Sequence, residues 1–264
     1  MIKTSKRIIS LALLLTMTLI MLIGCGSASR KTGTQIGVIG AMDEEVASLQ
    51  ASMTKVKITK IAGMEFCEGK LDDKDVVVVK SGIGKVNAGI CAQILISTFK
   101  VNKIINTGVA GSLDTKVSIG DFVISTDAVE HDYDLTPIGY RPGEVDPINV
   151  VGIPADVELR ASAMEAVKAV APDASAFEGR VCSGDQFIAG KEQKEKISSV
   201  FGGLCCEMEG GAIAHVCYQN NTPFVIIRTI SDNADGSGSD DYNKFKDDAA
   251  KKCADITRYI ISNS

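Results

Sequence analysis

The chain has 264 residues, 45% of them hydrophobic, a formal net charge of −5 and no tryptophan. That length suits one α/β domain with a sizeable core, and a mildly acidic chain without a basic patch excludes nucleic acid as a partner. Eight cysteines stand beside only two histidines and form no C-x-x-C pair, which leaves no framework for zinc.

The first 25 residues read as a targeting segment. Lys3, Lys6 and Arg7 precede an apolar run from Ile8 to Ile23, followed by Gly24-Cys25-Gly26-Ser27. A basic start, an apolar middle and small residues at the end make an export signal, which is set apart from the fold. Leu22-Ile23-Gly24-Cys25 resembles the lipobox of bacterial lipoproteins, implying residues 1–24 as signal peptide, Cys25 as the lipidated first residue and 25–34 as a polar tether. An uncleaved anchor or an ordinary export signal is the other reading; each places the body, residues 35–264, outside the cytoplasmic membrane, and the lipoprotein reading holds it on the outer face of a bacterial membrane. The remaining cysteines (67, 91, 182, 205, 206, 217 and 253) sit mostly in apolar contexts and read as small core residues.

Residues 35–42 (Q-I-G-V-I-G-A-M) form a first strand entering a glycine turn, and Asp43-Glu44-Glu45 opens a helix with Val46, Leu49 and Met53 at helical spacing. Acids in a first helical turn commonly serve capping and the macrodipole. Residues 75–81 (D-V-V-V-V-K-S) are a second strand, ending in Gly82-Ile83-Gly84-Lys85, which lacks the spacing of a P-loop. A helix over 87–99 follows. Residues 101–113 give a third strand and a turn in which Val109, Ala110 and Gly111 let a planar ligand approach the backbone. Residues 120–126 are a fourth strand, leading to His131-Asp132-Tyr133-Asp134; a lone histidine beside two acids suits a surface or an interface better than a metal. Residues 141–160 read as a loop, 161–170 as a helix and 178–182 as another strand, followed by Ser183-Gly184-Asp185-Gln186-Phe187-Ile188. Phe187 reads equally as a core aromatic.

The most informative stretch is 205–235. Glu207 and Glu209 share one side only if the next helix begins after them, because residues two apart diverge by about 200° on a helix; Gly210-Gly211 marks that start. The strand over 223–230 (P-F-V-I-I-R-T-I) is apolar with almost no alternation, as in a central parallel strand covered on both faces. Arg228, Ser231 and Asp232 fall at its C-terminal end, where open α/β sheets place ligands. Arg228 requires an acid there, and pairing with Glu207 or Glu209 merely to pin helix to strand satisfies that need as well as a binding role does. A final helix starts at Ser239 or Asp240 and runs through 259.

E-M-E-x-x-A-I-A-H-V-C followed by P-F-V-I-I-R-T-I-S-D-N-A-D resembles the signature of 5′-methylthioadenosine/S-adenosylhomocysteine nucleosidases, within the purine nucleoside phosphorylase superfamily, and the likeness covers nearly all of 35–264. It implies a single-domain three-layer α/β sandwich around a mixed, largely parallel twisted sheet. The implied reaction is hydrolysis of the N-ribosidic bond of methylthioadenosine and adenosylhomocysteine, with 5′-deoxyadenosine a further candidate, using no metal or organic cofactor. By this resemblance Glu45 activates water, Asp232 is the general acid and Glu209 grips the ribose. Ile83 packs near the sugar, Phe187 stacks on the base, the Ile188 backbone pairs with its edge, and Tyr242 borders the 5′ pocket. Val109, Ala110, Gly111, Glu207, Met208, Arg228 and Ser231 complete the substrate-binding set, Val109 replacing a serine usual in the family. The 131–134 segment is implied to lie at a homodimer interface. A phosphate-dependent phosphorylase on the same fold and a non-catalytic nucleoside-binding lipoprotein are the competing readings.

Overall fold

In the computed structural model, which describes residues 35–264, the apolar runs β1 (Ile36–Gly40), β4 (Lys74–Lys80), β5 (Lys103–Ser112) and β10 (Phe224–Asp232) form the parallel heart of a ten-stranded sheet. Each presents apolar side chains to both faces, so period two sorts them into two cores. Val38, Val76, Val78, Val225 and Ile227 face one layer, made by helices α1 (Asp43–Ser52), α3 (Val157–Val170) and α6 (Gly238–Ser262). Ile39, Val77, Val79, Ile104 and Ile226 face the other, made by α2 (Lys85–Ser97) and α5 (Gly210–Gln219). Each fully buried Val or Ile contributes about 1.5–3 kcal/mol, and continuous burial along β10 leaves no strand residue free for solvent.

The sheet is mixed. β1–β4, β1–β5, β5–β10, β6–β8 and β8–β9 pair in parallel, and β2–β3, β3–β4, β5–β9, β6–β7 and β6–β10 pair antiparallel, where β2 is Thr54–Ile61, β3 Met64–Leu71, β6 Phe122–Glu130, β7 Ile153–Pro154, β8 Ala176–Ser183 and β9 Cys205–Glu207. The expectation of a largely parallel sheet therefore holds for the interior and not for the margins, where antiparallel pairing predominates. β9 returns to the end of β5 (Gly111 opposite Cys206), so β5, β10, β6, β8 and β9 close on themselves. That closure brings five chain segments to one rim.

Several boundaries differ from the sequence reading, and two features were not assigned. The stretch 141–160 is not wholly loop: it contains β7 and the first turn of α3, which starts at Val157 because the Asp156 carboxylate accepts the N–H groups of Glu158 (3.1 Å) and Leu159 (2.9 Å). The last helix begins at Gly238 and runs to Ser262. The β2–β3 hairpin and α4 (Lys191–Phe201) were not assigned from sequence at all. Cys67, Cys91, Cys182, Cys205, Cys206, Cys217 and Cys253 are all buried free thiols. Cys25 and the 1–34 segment lie outside the described residues.

Candidate active site

The C-terminal ends of β1, β5 and β10 open on a cleft of about 570 Å³. Glu45 enters it from the first turn of α1. Its Oε2 accepts the N–H groups of Ala41 (2.6 Å) and Met42 (3.1 Å), tying the carboxylate back onto the helix start, while Oε1 accepts the Val109 N–H at 3.1 Å. One acid thus links α1 to β5. Burial raises its pKa against the opposing pull of the Arg228 charge and these amides. The approach requires glycine at 108, because a Cβ there would stand 2.6 Å from Glu45 Oε1.

Asp232 is brought in by a bulge. The β5–β10 register shifts between Ile230 and Asp232, so that Asp232 lies opposite Gly111 and its side chain is re-aimed toward the cleft. Its Oδ1 accepts the Ala234 N–H (2.8 Å) and its Oδ2 the Ser231 hydroxyl (2.9 Å). A Cβ at Gly111 would sit 2.8 Å from Oδ1, so the small residue is a condition of the acid's placement. Burial raises the Asp232 pKa in spite of those two hydrogen bonds.

The late helix start is as expected: β9 ends at Glu207 and α5 begins at Gly210. The two acids then take different jobs. Glu207 accepts the N–H groups of Glu209 (3.1 Å) and Gly210 (2.7 Å), capping α5, and also pairs with the Ser183 hydroxyl and with Arg228. Glu209 accepts the Gly84 N–H at 2.9 Å and lies 4.0 Å from Arg228, leaving it the less committed of the two. Burial and then the Glu207 charge raise the Glu209 pKa.

The cleft wall contains Glu45, Ile83, Val109, Ala110, Gly111, Phe187, Ile188, Glu207, Met208, Glu209, Ser231, Asp232 and Tyr242, so nearly every residue singled out from sequence reaches one space. Arg228 does not. It is 1% exposed and lies behind the wall, donating to Asn106 Oδ1 (2.6 Å) and the Ile227 carbonyl (3.1 Å) besides pairing with Glu207. Its place in the substrate-binding set is corrected accordingly, since its charge is already spent on Glu207. Phe187 is 47% exposed, with its ring edge-on to Tyr242 at 5.3 Å, so it stands at the mouth and is not a core aromatic. Tyr242 donates its hydroxyl to Met42 Sδ at 3.1 Å.

Ala41, Met42, Gln186 and Cys206 also line the cleft and were missed. Gln186 and Cys206 adjoin Phe187 and Glu207, which were already chosen, so proximity in sequence was a usable signal for them; Ala41 and Met42 stand four and three residues before Glu45. The 131–134 segment contributes through charge pairing: Asp132 takes the Lys85 ammonium (2.5 Å) and the Asp185 N–H (2.8 Å), fastening the 82–85 loop to the 183–188 loop. Among the described residues there is no cluster of three or more His, Cys, Asp or Glu side chains placed to hold a metal ion.

A mixed sheet with a closed end, carrying four buried acids at the rim of its parallel strands, defines the class. The family model of the phosphorylase superfamily matches residues 35–262, and the chain belongs to that superfamily. Within it, the chain is 41% identical over 230 residues to a 5′-methylthioadenosine/S-adenosylhomocysteine nucleosidase of Psychromonas ingrahamii, covering 87% of this chain and 99% of that one. Among solved structures, the Neisseria meningitidis nucleosidase in complex with methylthio-immucillin-A superposes with a TM-score of 0.84 at 36% identity, covering 88% of this chain and 100% of its own. The Colwellia psychrerythraea nucleosidase in complex with adenine gives 0.83 at 37% identity, over 87% and 95% of the two chains. The chain is a member of the 5′-methylthioadenosine/S-adenosylhomocysteine nucleosidase family.

Proposed function

We propose that this chain hydrolyses the N-ribosidic bond of 5′-methylthioadenosine and S-adenosylhomocysteine, releasing adenine and the 5′-thioribose. The observation that carries the reading is that Glu45, Glu209 and Asp232, distant in sequence, open into one cleft beside the exposed ring of Phe187. Cleaving this bond loads electrons onto the departing purine and leaves the sugar cationic, as in glycoside hydrolysis. Asp232, whose pKa burial raises, donates a proton to the purine ring. Glu209 holds the ribose hydroxyls. Glu45 orients and deprotonates the attacking water. Phe187 offers a stacking face for the base, and Tyr242 with Met42 borders the 5′ end.

A phosphorylase would need cationic groups for its phosphate. Among the described residues lining the cleft there is no Lys, Arg or His, and the nearby Arg228 is taken by Glu207. A nucleoside-binding protein would have no use for a base and an acid in the same cleft. The purified protein should therefore release adenine from 5′-methylthioadenosine in phosphate-free buffer; strict dependence on phosphate, or recovery of the intact nucleoside from a stable complex, would reverse the assignment.

The chain also works as an exported lipoprotein and a homodimer in this reading. The basic start, apolar run and Leu22-Ile23-Gly24-Cys25 support a lipid anchor at Cys25. Cys25→Ala should move the protein from the membrane pellet to the soluble fraction, and an unchanged distribution would count against lipidation. Exposed Val86 and Ile90 on α2, with Tyr218 on α5, give an apolar surface suited to a second copy; a monomer mass in sedimentation would remove the dimer.

A further inference from the structure

The turn that carries Asp232 is not held by its own strand alone. Asp232 bonds locally to Ser231 and Ala234, and Ala234 is a buried non-glycine residue with φ of 49°, so the turn occupies a sparsely populated conformation that something must maintain. The neighbouring element is α4, which begins three residues after Ile188. Lys194, one turn into that helix, donates its half-buried ammonium to the Asn233 carbonyl at 2.7 Å. Asn233 directly follows the acid.

We propose that Lys194 is a positioning residue for proton transfer: anchored on α4, it fixes the Asp232 turn through the Asn233 carbonyl and so aims the carboxyl at the departing base. The inference rests on the nucleosidase reading above. α4 is a firm base for such a clamp, since Ser198 ties it to the Leu113 carbonyl at 2.9 Å and Ile197 is buried in the small cluster with Leu113, Cys182 and Cys206. The same helix continues the 186–189 segment of the base platform, and Ala189 packs on Gly238, where a Cβ would lie 3.5 Å away. Lys194 therefore connects the surface that receives the purine with the group that protonates it. A charge-assisted bond from an ammonium to a carbonyl is among the stronger neutral-acceptor contacts, and misplacement by about 1 Å is enough to slow a proton transfer by a large factor.

Besides Lys194 across the turn, the groups facing the Asp232 carboxyl are Ser231, Asp235, Asp241 and Tyr242, with Cys206 from β9. Asp235 and Asp241 disfavour its anion.

The full chain is compared as wild type, Lys194→Met and Lys194→Arg, following adenine release from 5′-methylthioadenosine with pH, together with thermal melting. The expected result for Lys194→Met is a kcat lower by about tenfold or more at a KM within about threefold, and recovery of most of the kcat in Lys194→Arg. An unchanged kcat, a raised KM at constant kcat, or a loss that follows the unfolded fraction would overturn the proposal while leaving the nucleosidase reading intact. Wild-type protein that releases no adenine would overturn both.

Discussion

Replacing Asp232 with Asn lowers kcat for 5′-methylthioadenosine by about 10²–10⁴-fold with little change in KM, the range general acid catalysis supplies. The substitution keeps the shape of the side chain: the amide oxygen accepts the Ala234 N–H as Oδ1 does, while the amide NH2 stands in place of Oδ2, so that the Ser231 hydroxyl turns from donor to acceptor. The transferable acidic proton is lost. The pH profile adds a second reading of the same change. Glu45 must be ionised to act as base, so activity falls as pH drops through its burial-raised pKa; Asp232 must be protonated, so activity falls again as pH rises through its own. Asp232→Asn should erase the alkaline limb and keep the acid one. Stability moves the other way. A carboxyl whose folded pKa is raised retains a proton that the unfolded chain has released, so stability is greatest below the unfolded value and declines as pH climbs to the folded one. The Asn variant does not bear that cost and should melt at or above the wild-type temperature at neutral pH. Wild-type turnover in this variant would remove Asp232 from the mechanism.

The same residues explain what could be read without coordinates. Val76–Val79 and Phe224–Ile227 were legible as strands because residues buried on both faces need no alternation, and such runs have few other homes. The hairpin T-K-V-K-I-T-K-I was not, since β2 is an edge strand exposed along most of its length and its lysines are what keep that edge open to water and free of further pairing. Helix α4 buries only Ile197, leaving too narrow an apolar stripe to announce itself. At the site, spacing showed that Glu207 and Glu209 share a side if the helix starts late, but it could not say which of them Arg228 would choose. That choice depends on Ser183, Asn106 and the N-terminus of α5, three contributions from remote parts of the chain. Cys206 entered the cleft for a similar reason: its neighbour across the sheet is Gly111, nearly a hundred residues away in sequence.

Arg228→Met is expected to destabilise the fold by about 3–5 kcal/mol, the cost of leaving one member of a buried ion pair without its partner, which for a domain of this size corresponds to a melting temperature lower by roughly 6–20 °C. Methionine fills much of the same volume, so packing is largely kept and the loss is electrostatic. Glu207 would retain its bonds from Ser183 and from the N–H groups of Glu209 and Gly210, yet it would be an anion walled off from water with no cation against it. Neutralising the orphan tests that account. Arg228→Met combined with Glu207→Gln should recover part of the stability lost by Arg228→Met alone, because the amide still accepts from α5 and carries no charge. A single variant that melts with the wild type, or a double variant no better than the single, would show that the Arg228–Glu207 pair does not carry the stability assigned to it.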